Sequence, residues 1–329
     1  MPELNRSRKI WIYLPNDYNT SNQKRFPVIY MHDGQNLFDA VTSFAGEWQV
    51  DETLTSIQQA GGYGTIVVGV DNGGSSRINE YSPWVNTQYG GGEGDLYIDF
   101  IKNTLKPHID QNYRTLIEPQ NTGLIGSSMG GLISLYGTLK YPATFGKAGV
   151  FSPSLWFART QLTDYITGKN FTNIPLKFYF IGGTSESVTL VADMQMVRTA
   201  LINTGVESQH INLLTHTDGA HSEWYWRRKF GASYQFLFPA PYFSTSTANI
   251  NNKADFRFFY NKENRSFSIN GLQTQNVPFK IFTPDGKIIR QGIINDSEHQ
   301  IILRNLKQGV HFVRFQLIDG IITRKLMIE

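Results

Sequence analysis

The sequence predicts an α/β fold, a mostly parallel sheet flanked by helices, followed by a small all-β sandwich. Three observations point there. Short apolar runs alternate with helix-period segments from residue 9 to about residue 238. Several of these runs, among them Val28-Ile-Tyr-Met-His32 and Thr65-Ile-Val-Val-Gly-Val70, are apolar on both faces, as a sheet covered by helices on each side requires. Beyond residue 255 only strand-like segments remain.

In chain order, strands are expected at 9–14, 27–32, 65–70, 122–125, 147–151, 177–181 and 210–214. Helical periodicity marks 49–59, 96–109, 130–140, 189–203 and 222–237. The glycine-rich stretch at 90–94 has no ribose-binding acid spaced after it and reads as a loop at the sheet's edge. At Phe238-Pro-Ala-Pro-Tyr242 the alternation stops, which bounds an α/β domain at 1–241. A linker rich in Ser, Thr and Asn covers 242–254. Residues 255–329 then carry FRFFY, SFSI, FKIF, KIIRQG, QIIL, HFVRFQL and IITRKLMI, with hairpin chemistry at Pro284-Asp285-Gly286 and Asp319-Gly320. Seven short strands in this compass suggest a sandwich.

Composition narrows the function. Of 329 residues, 40% are apolar and 17% charged, an ordinary globular balance. Thirty Lys and Arg against 27 Asp and Glu leave a slim positive excess with no basic run, so nucleic acid is not an expected partner. The absence of cysteine removes disulfides, thiolate nucleophiles, zinc ribbons and iron–sulfur clusters. No His-Glu-x-x-His or EF-hand spacing occurs, and neither metal nor cofactor is expected. No apolar run reaches the roughly 18 residues of a membrane span. The first residues lack an apolar signal core.

The sharpest motif is Gly126-Ser127-Ser128-Met129-Gly130-Gly131, between the strand Thr122-Gly-Leu-Ile125 and an apolar helix. G-x-S-x-G in that context is a nucleophile elbow, which presents Ser128 at a helix N-terminus where negative charge is favoured. The small residues Gly126 and Gly130 would let strand and helix approach. No Lys-Ser or Lys-Thr follows, so the turn is not a P-loop. Elbow hydrolases place acid, then histidine, after the serine. His221 lies in the loop before the last helix, with His216 in reserve. Glu186 follows the strand KFYFIGG and is the expected acid, against Asp193 and Asp218. One oxyanion donor is the backbone N–H of Met129; the other is expected from the loop His32-Asp-Gly-Gln35, where Gly34 allows a turn that aims the Gln35 N–H.

The stretches RKIWIYLP, PVIYMHDGQNLFD, GEWQVDETL, VDNGGSSRINEYSPW, GSSMGG and FSPSLW, with the His221 loop, resemble the esterase family of α/β-hydrolases across residues 8–236. That family includes enterobactin-type siderophore esterases, feruloyl and acetyl-xylan esterases and mycobacterial mycolyltransferases. The resemblance implies a catalytic triad of Ser128, Glu186 and His221, with Gln35 and Met129 as oxyanion donors. It also implies a carbohydrate-linked or other small ester as substrate, the alternatives being a siderophore lactone or a non-catalytic surface-binding protein on the hydrolase scaffold. The sequence Gly182-Gly-Thr-Ser-Glu186 departs from the family's tighter glycine–threonine–acid pattern. Arg77, Glu80, Trp84 and Trp156 fall on loops expected to line the mouth and bind substrate. Residues 255–329 resemble the C-terminal sorting domain of the type IX secretion system, through FKIFTPDGKIIRQG, NLKQGVHFVRFQL and ITRKLMI. This implies a secreted or surface protein whose signal peptide is missing from the chain, with the export machinery as partner; a carbohydrate-binding β-domain is the alternative.

Overall fold

A computed structural model describes residues 1–239, apart from 21, 44 and 61, and residues 257–261, 266–270, 277–294, 299–303, 306–317 and 320–328. The linker at 242–254 and Asp319 of the last expected turn lie outside the described residues. The chain forms two compact units, Met1–Pro239 and Ala240–Glu329.

In the first unit seven strands build one sheet: β1 (Ile10–Tyr13), β2 (Val28–His32), β3 (Ile66–Val70), β6 (Thr122–Ser127), β7 (Lys147–Phe151), β8 (Lys177–Gly183) and β9 (Ile211–His216). Their spatial order is β1-β3-β2-β6-β7-β8-β9. Strand β1 runs antiparallel to β3, and every other pair is parallel. A two-stranded ribbon, β4 (Val85–Asn86) with β5 (Gly90–Gly91), stands apart.

The period-2 geometry of the strands divides the core into two layers. Val28 and Tyr30 of β2 join one apolar cluster and Ile29 and Met31 the other. The first cluster takes up α3 (Gly94–Asp99), α5 (Met129–Lys140), α6 (Arg159–Thr167) and α7 (Leu190–Asn203); the second takes up α1 (Val50–Gln59) and α8 (Glu223–Leu237). Helix α5 is buried from Met129 through Leu139. That is why its sequence is apolar on every side, and why the turn before it is held rigidly.

The boundaries of the expected elements shift by at most two residues, with three larger departures. The helix expected at 96–109 extends from Gly94 to Asn112, through α3, a π-helical turn at Phe100–Leu105 and α4 (Lys106–Asn112). Helix α6 and the short α2 (Arg77–Glu80) were not anticipated; α6 buries only Leu162 and Ile166, too little apolar periodicity to read. The glycines at 90–94 are no edge loop: Gly90 and Gly91 close the β4–β5 ribbon and Gly94 opens α3.

In the second unit, β10 (Arg257–Asn261), β11 (Ser266–Asn270) and β14 (His299–Ile302) form one antiparallel sheet. A second sheet has the order β13-β12-β15-β16, from β12 (Val277–Phe282), β13 (Ile288–Ile294), β15 (Gly309–Leu317) and β16 (Gly320–Ile328). Between β12 and β13, the Gly286 N–H donates to the Thr283 carbonyl at 2.9 Å and Gly286 takes a φ of 86°, the left-handed turn its sequence anticipates. Phe279, Ile281, Val313 and Phe315 are buried on this sheet.

Candidate active site

The parallel strands deliver their C-terminal ends to one edge of the sheet, where crevices form in folds of this kind. Strand β2 leads to Asp33 and Gln35, β6 to Ser128, β8 to Glu186, and β9 to His221. Residues far apart in sequence therefore meet.

Ser128 joins β6 to α5 with φ 59° and ψ −124°, a region L-residues rarely occupy. The surrounding bonds hold it there. Its N–H donates to the Phe151 carbonyl at 2.9 Å, and its own carbonyl accepts from the Ser154 N–H at 3.0 Å. Sterics explain Gly126: a Cβ there would lie 2.7 Å from the Gly130 carbonyl oxygen and 2.9 Å from His32. Gly130 is different. Its added Cβ would meet His32 at 3.4 Å, an ordinary contact, so the close approach expected of both glycines rests on Gly126.

His221 Nε2 lies 3.0 Å from Ser128 Oγ, and its Nδ1 lies 2.9 Å from Glu186 Oε2. A carboxylate accepts only, so Nδ1 carries the proton and Nε2 is left to accept the serine hydroxyl. The Trp226 ring stands edge-on to the imidazole at 5.2 Å. The Glu186 side chain is 2% exposed, whereas His221 keeps 47% of its side chain open. The other carboxylate oxygen, Oε1, accepts from the Gly183 N–H at 2.6 Å and the Ser152 hydroxyl at 2.8 Å. Burial raises the Glu186 carboxyl, but the donors from His221, Gly183 and Ser152 outweigh it and hold the group below its ordinary value. An imidazole tied to a hydroxyl on one side and an ionised acid on the other can take the serine proton and return it.

The competing groups sit elsewhere. Asp193 is buried against Arg159, Nη2 to Oδ1 at 2.7 Å. Asp218 pairs with Arg228 on the surface, and His216 Nδ1 lies 2.8 Å from the Tyr225 hydroxyl.

The pocket above these groups has a volume of about 530 Å³ and includes Gln35, Ser128, Arg77, His221 and Glu223 in its lining. Met129 is the first residue of α5, and Gln35 lies in a 3-10 turn, Gly34–Asn36. First-turn N–H groups have no intrahelical acceptor, so both are available to an oxyanion. The turn is fixed by Asp33, which takes φ 56° and gives its N–H to the Tyr81 hydroxyl at 3.1 Å. The Asp33 carboxylate receives Arg77 Nε at 2.7 Å, Nη2 at 2.8 Å and Asn72 Nδ2 at 2.8 Å. Arg77 thus lines the pocket with its fork already occupied. Beneath the turn, burial keeps His32 neutral, its imidazole pushed down to about 3.

Three of the four residues expected at the mouth, Glu80, Trp84 and Trp156, lie outside this pocket's lining. Glu80 is fully buried and binds Arg6 at 2.9 Å and Arg8 at 2.6 Å, a charge held internally because two guanidinium groups neutralise it. Trp84 packs edge-on to Tyr136 and Tyr165 against the core. Trp156 is half-exposed and edge-on to Tyr89, beside a separate cavity of about 320 Å³. Sequence reasoning missed Ser152, Ser154, Trp226 and Glu223. The first two lie in FSPSLW and the last follows His221 by two positions, but only the folded chain sets Ser154 against Ser128, Ser152 between Glu186 and Trp226, and Glu223 in the pocket lining.

A family model described as Putative esterase matches residues 1–237. Over 167 residues the chain is 34% identical to the uncharacterized protein YbbA of Bacillus subtilis, covering 49% of this chain and 62% of that protein. Over 237 residues it is 28% identical to the Iron(III) salmochelin esterase of Escherichia coli O6:H1, covering 68% of this chain and 52% of that protein. The chain thus spans about half to six-tenths of these relatives' lengths. Among solved structures, an IroE-like serine hydrolase from Shewanella oneidensis superposes with a TM-score of 0.59 at 21% identity, over 72% of this chain and 78% of that one. With the strand–elbow–helix geometry and the match over most of its length, the chain belongs to the esterase family.

Proposed function

We propose that this protein is a serine carboxylesterase acting on carbohydrate-linked or other small esters through an acyl-enzyme. The observation that carries the reading is the continuous hydrogen-bond path from Ser128 through His221 to Glu186 at the floor of an open pocket. His221 Nε2 removes the proton as Ser128 Oγ attacks the ester carbonyl. The Met129 and Gln35 N–H groups receive the oxyanion, and Glu186 stays ionised to steady the imidazolium. His221 then protonates the departing alcohol. Water, activated by the same imidazole, releases the acid and frees the serine. Similarity to the salmochelin esterase over 68% of the chain favours a siderophore lactone as the second reading. Residues 255–329 would serve export through the type IX machinery, making the protein secreted.

The test is a pre-steady-state burst of p-nitrophenol from p-nitrophenyl acetate. Ser128→Ala is expected to abolish the burst and lower kcat by several orders of magnitude, while Ser127→Ala keeps most of both. A dead Ser127→Ala with an active Ser128→Ala would misplace the elbow by one residue. Ranking acetyl-sugar, feruloyl and trilactone esters by kcat/KM then separates the two substrate readings. Deleting residues 240–329 in the native host and following the protein in the medium tests export.

A further inference from the structure

The pocket carries charge that the proposed mechanism does not use. Four ionisable side chains line it: Asp33, Arg77, His221 and Glu223. Arg77 gives Nε and Nη2 to the two oxygens of Asp33, so the guanidinium and that carboxylate cancel. Glu223 has no such partner. Among the described residues no cation lies within ion-pair distance of it; its carboxylate receives a long hydrogen bond from Asn36 Nδ2 at 3.5 Å and one from its own backbone N–H. A third carboxylate, Glu186, sits behind His221. The uncompensated charge facing the pocket is therefore negative.

Glu223 opens α8 two residues after His221 and lines the same pocket as His221 and Ser128. An acid in a first helical turn also suits the helix dipole, and that alone would explain its presence on an outer surface. Here it faces a cavity. In such partly desolvated surroundings its field acts on a bound ester with less screening than at a free surface. Burial, with Asp33 nearby, pushes the Glu223 carboxyl above its ordinary value; its own backbone N–H and the more distant His221 and Arg77 only partly offset this.

We propose that Glu223 is the specificity-determining residue for substrate charge, admitting esters with a cationic or hydroxyl-rich group near the scissile bond and rejecting anionic ones. The inference rests on the esterase reading above and sharpens it. A polyanionic ester would meet an unneutralised carboxylate next to the nucleophile, whereas hydroxyl and ammonium groups would donate to it.

The test uses three p-nitrophenyl esters of equal chain length: hexanoate, 6-aminohexanoate and the monoester of adipic acid. Their kcat/KM values are measured at pH 8 and low ionic strength on the full chain. The wild type is expected to favour the aminohexanoate over the adipate monoester by about tenfold. Glu223→Gln should shrink that ratio to about threefold or less, and Glu223→Lys should invert it. Salt at about 0.5 M should compress the wild-type ratio, because the Debye length falls to a few ångströms. Glu207→Gln serves as the control. It removes an exposed charge just before β9, at the other end of the parallel sheet, and should leave the ratio unchanged. A ratio that survives Glu223→Gln while hexanoate is turned over normally would overturn the proposal and leave the esterase reading intact. Failure of the wild type to hydrolyse hexanoate would sink both.

Discussion

Ser152 donates its hydroxyl to Glu186 Oε1 at 2.8 Å and accepts the Trp226 indole N–H at 2.9 Å. Ser152 itself has a φ of 40° and is buried immediately after β7. One hydroxyl thus links the acid behind His221 to the ring that packs against the same imidazole. Ser152→Ala is expected to lower kcat by about tenfold with little change in KM. It should also destabilise the fold by about 1–3 kcal/mol, since a buried indole N–H loses its acceptor. Glu186→Gln should cost more, about 10²–10⁴-fold, because it disturbs the imidazole tautomer. Asp193→Asn, which touches only the Arg159 pair, should remain active. Steady-state kinetics on p-nitrophenyl acetate ranks the three; an inactive Asp193→Asn beside a healthy Glu186→Gln would move the acid to α7.

The elbow glycines should behave unequally. Gly126→Ala drives a methyl to 2.7 Å from the Gly130 carbonyl, a backbone atom that cannot yield. Several kcal/mol of stability and nearly all activity should be lost. Gly130→Ala meets neighbours at 3.4 Å and beyond and lies in a helix, where Ala is the better residue. Its melting temperature should match or exceed the wild type. Equal losses in both variants would contradict the steric assignment.

His32 makes a pH prediction. Its folded value, about 3, lies below the 6.5 of an exposed imidazole because burial opposes its charge. The unfolded chain then binds the proton first. Stability is unaffected above about pH 6.5 and falls as pH drops toward 3, by about 1.4 kcal/mol per unit from this group. Urea titrations at pH 7, 6, 5 and 4 on wild type and His32→Gln should show a shallower acid slope in the variant. Parallel slopes would mean the imidazole charges without penalty.

A chain ending at Pro239 should fold and keep its small-ester kcat/KM within a few-fold. Every residue assigned a chemical role precedes that point, and the last helix has its own fastening: buried Lys147 donates to the Leu237 carbonyl, and its ammonium lies 4.2 Å from the Phe238 ring centroid. Circular dichroism and the p-nitrophenyl acetate assay check this. Loss of folding would assign residues 240–329 a part in holding the first unit together.

The sequence by itself determined the features that depend on neighbours along the chain. Strands apolar on both faces announced a parallel sheet, and G-x-S-x-G between strand and helix announced the turn at Ser128, because local sterics and hydrophobic periodicity act over a few residues. Boundaries were legible to within a turn for the same reason. Helix α6 escaped because two buried side chains leave almost no periodic trace. Glu80 and Trp84 looked like loop residues, yet Arg6, Arg8, Tyr136 and Tyr165 approach from far along the chain and bury them. The acid was legible in part: Glu186 follows the strand KFYFIGG and is expected over Asp193 and Asp218. How it reaches the histidine is set by the tertiary structure, because the parallel order β6-β7-β8-β9 carries the ends of distant strands to one edge. There Glu186 meets His221 across 35 positions and His221 meets Ser128 across 93, separations no local pattern encodes.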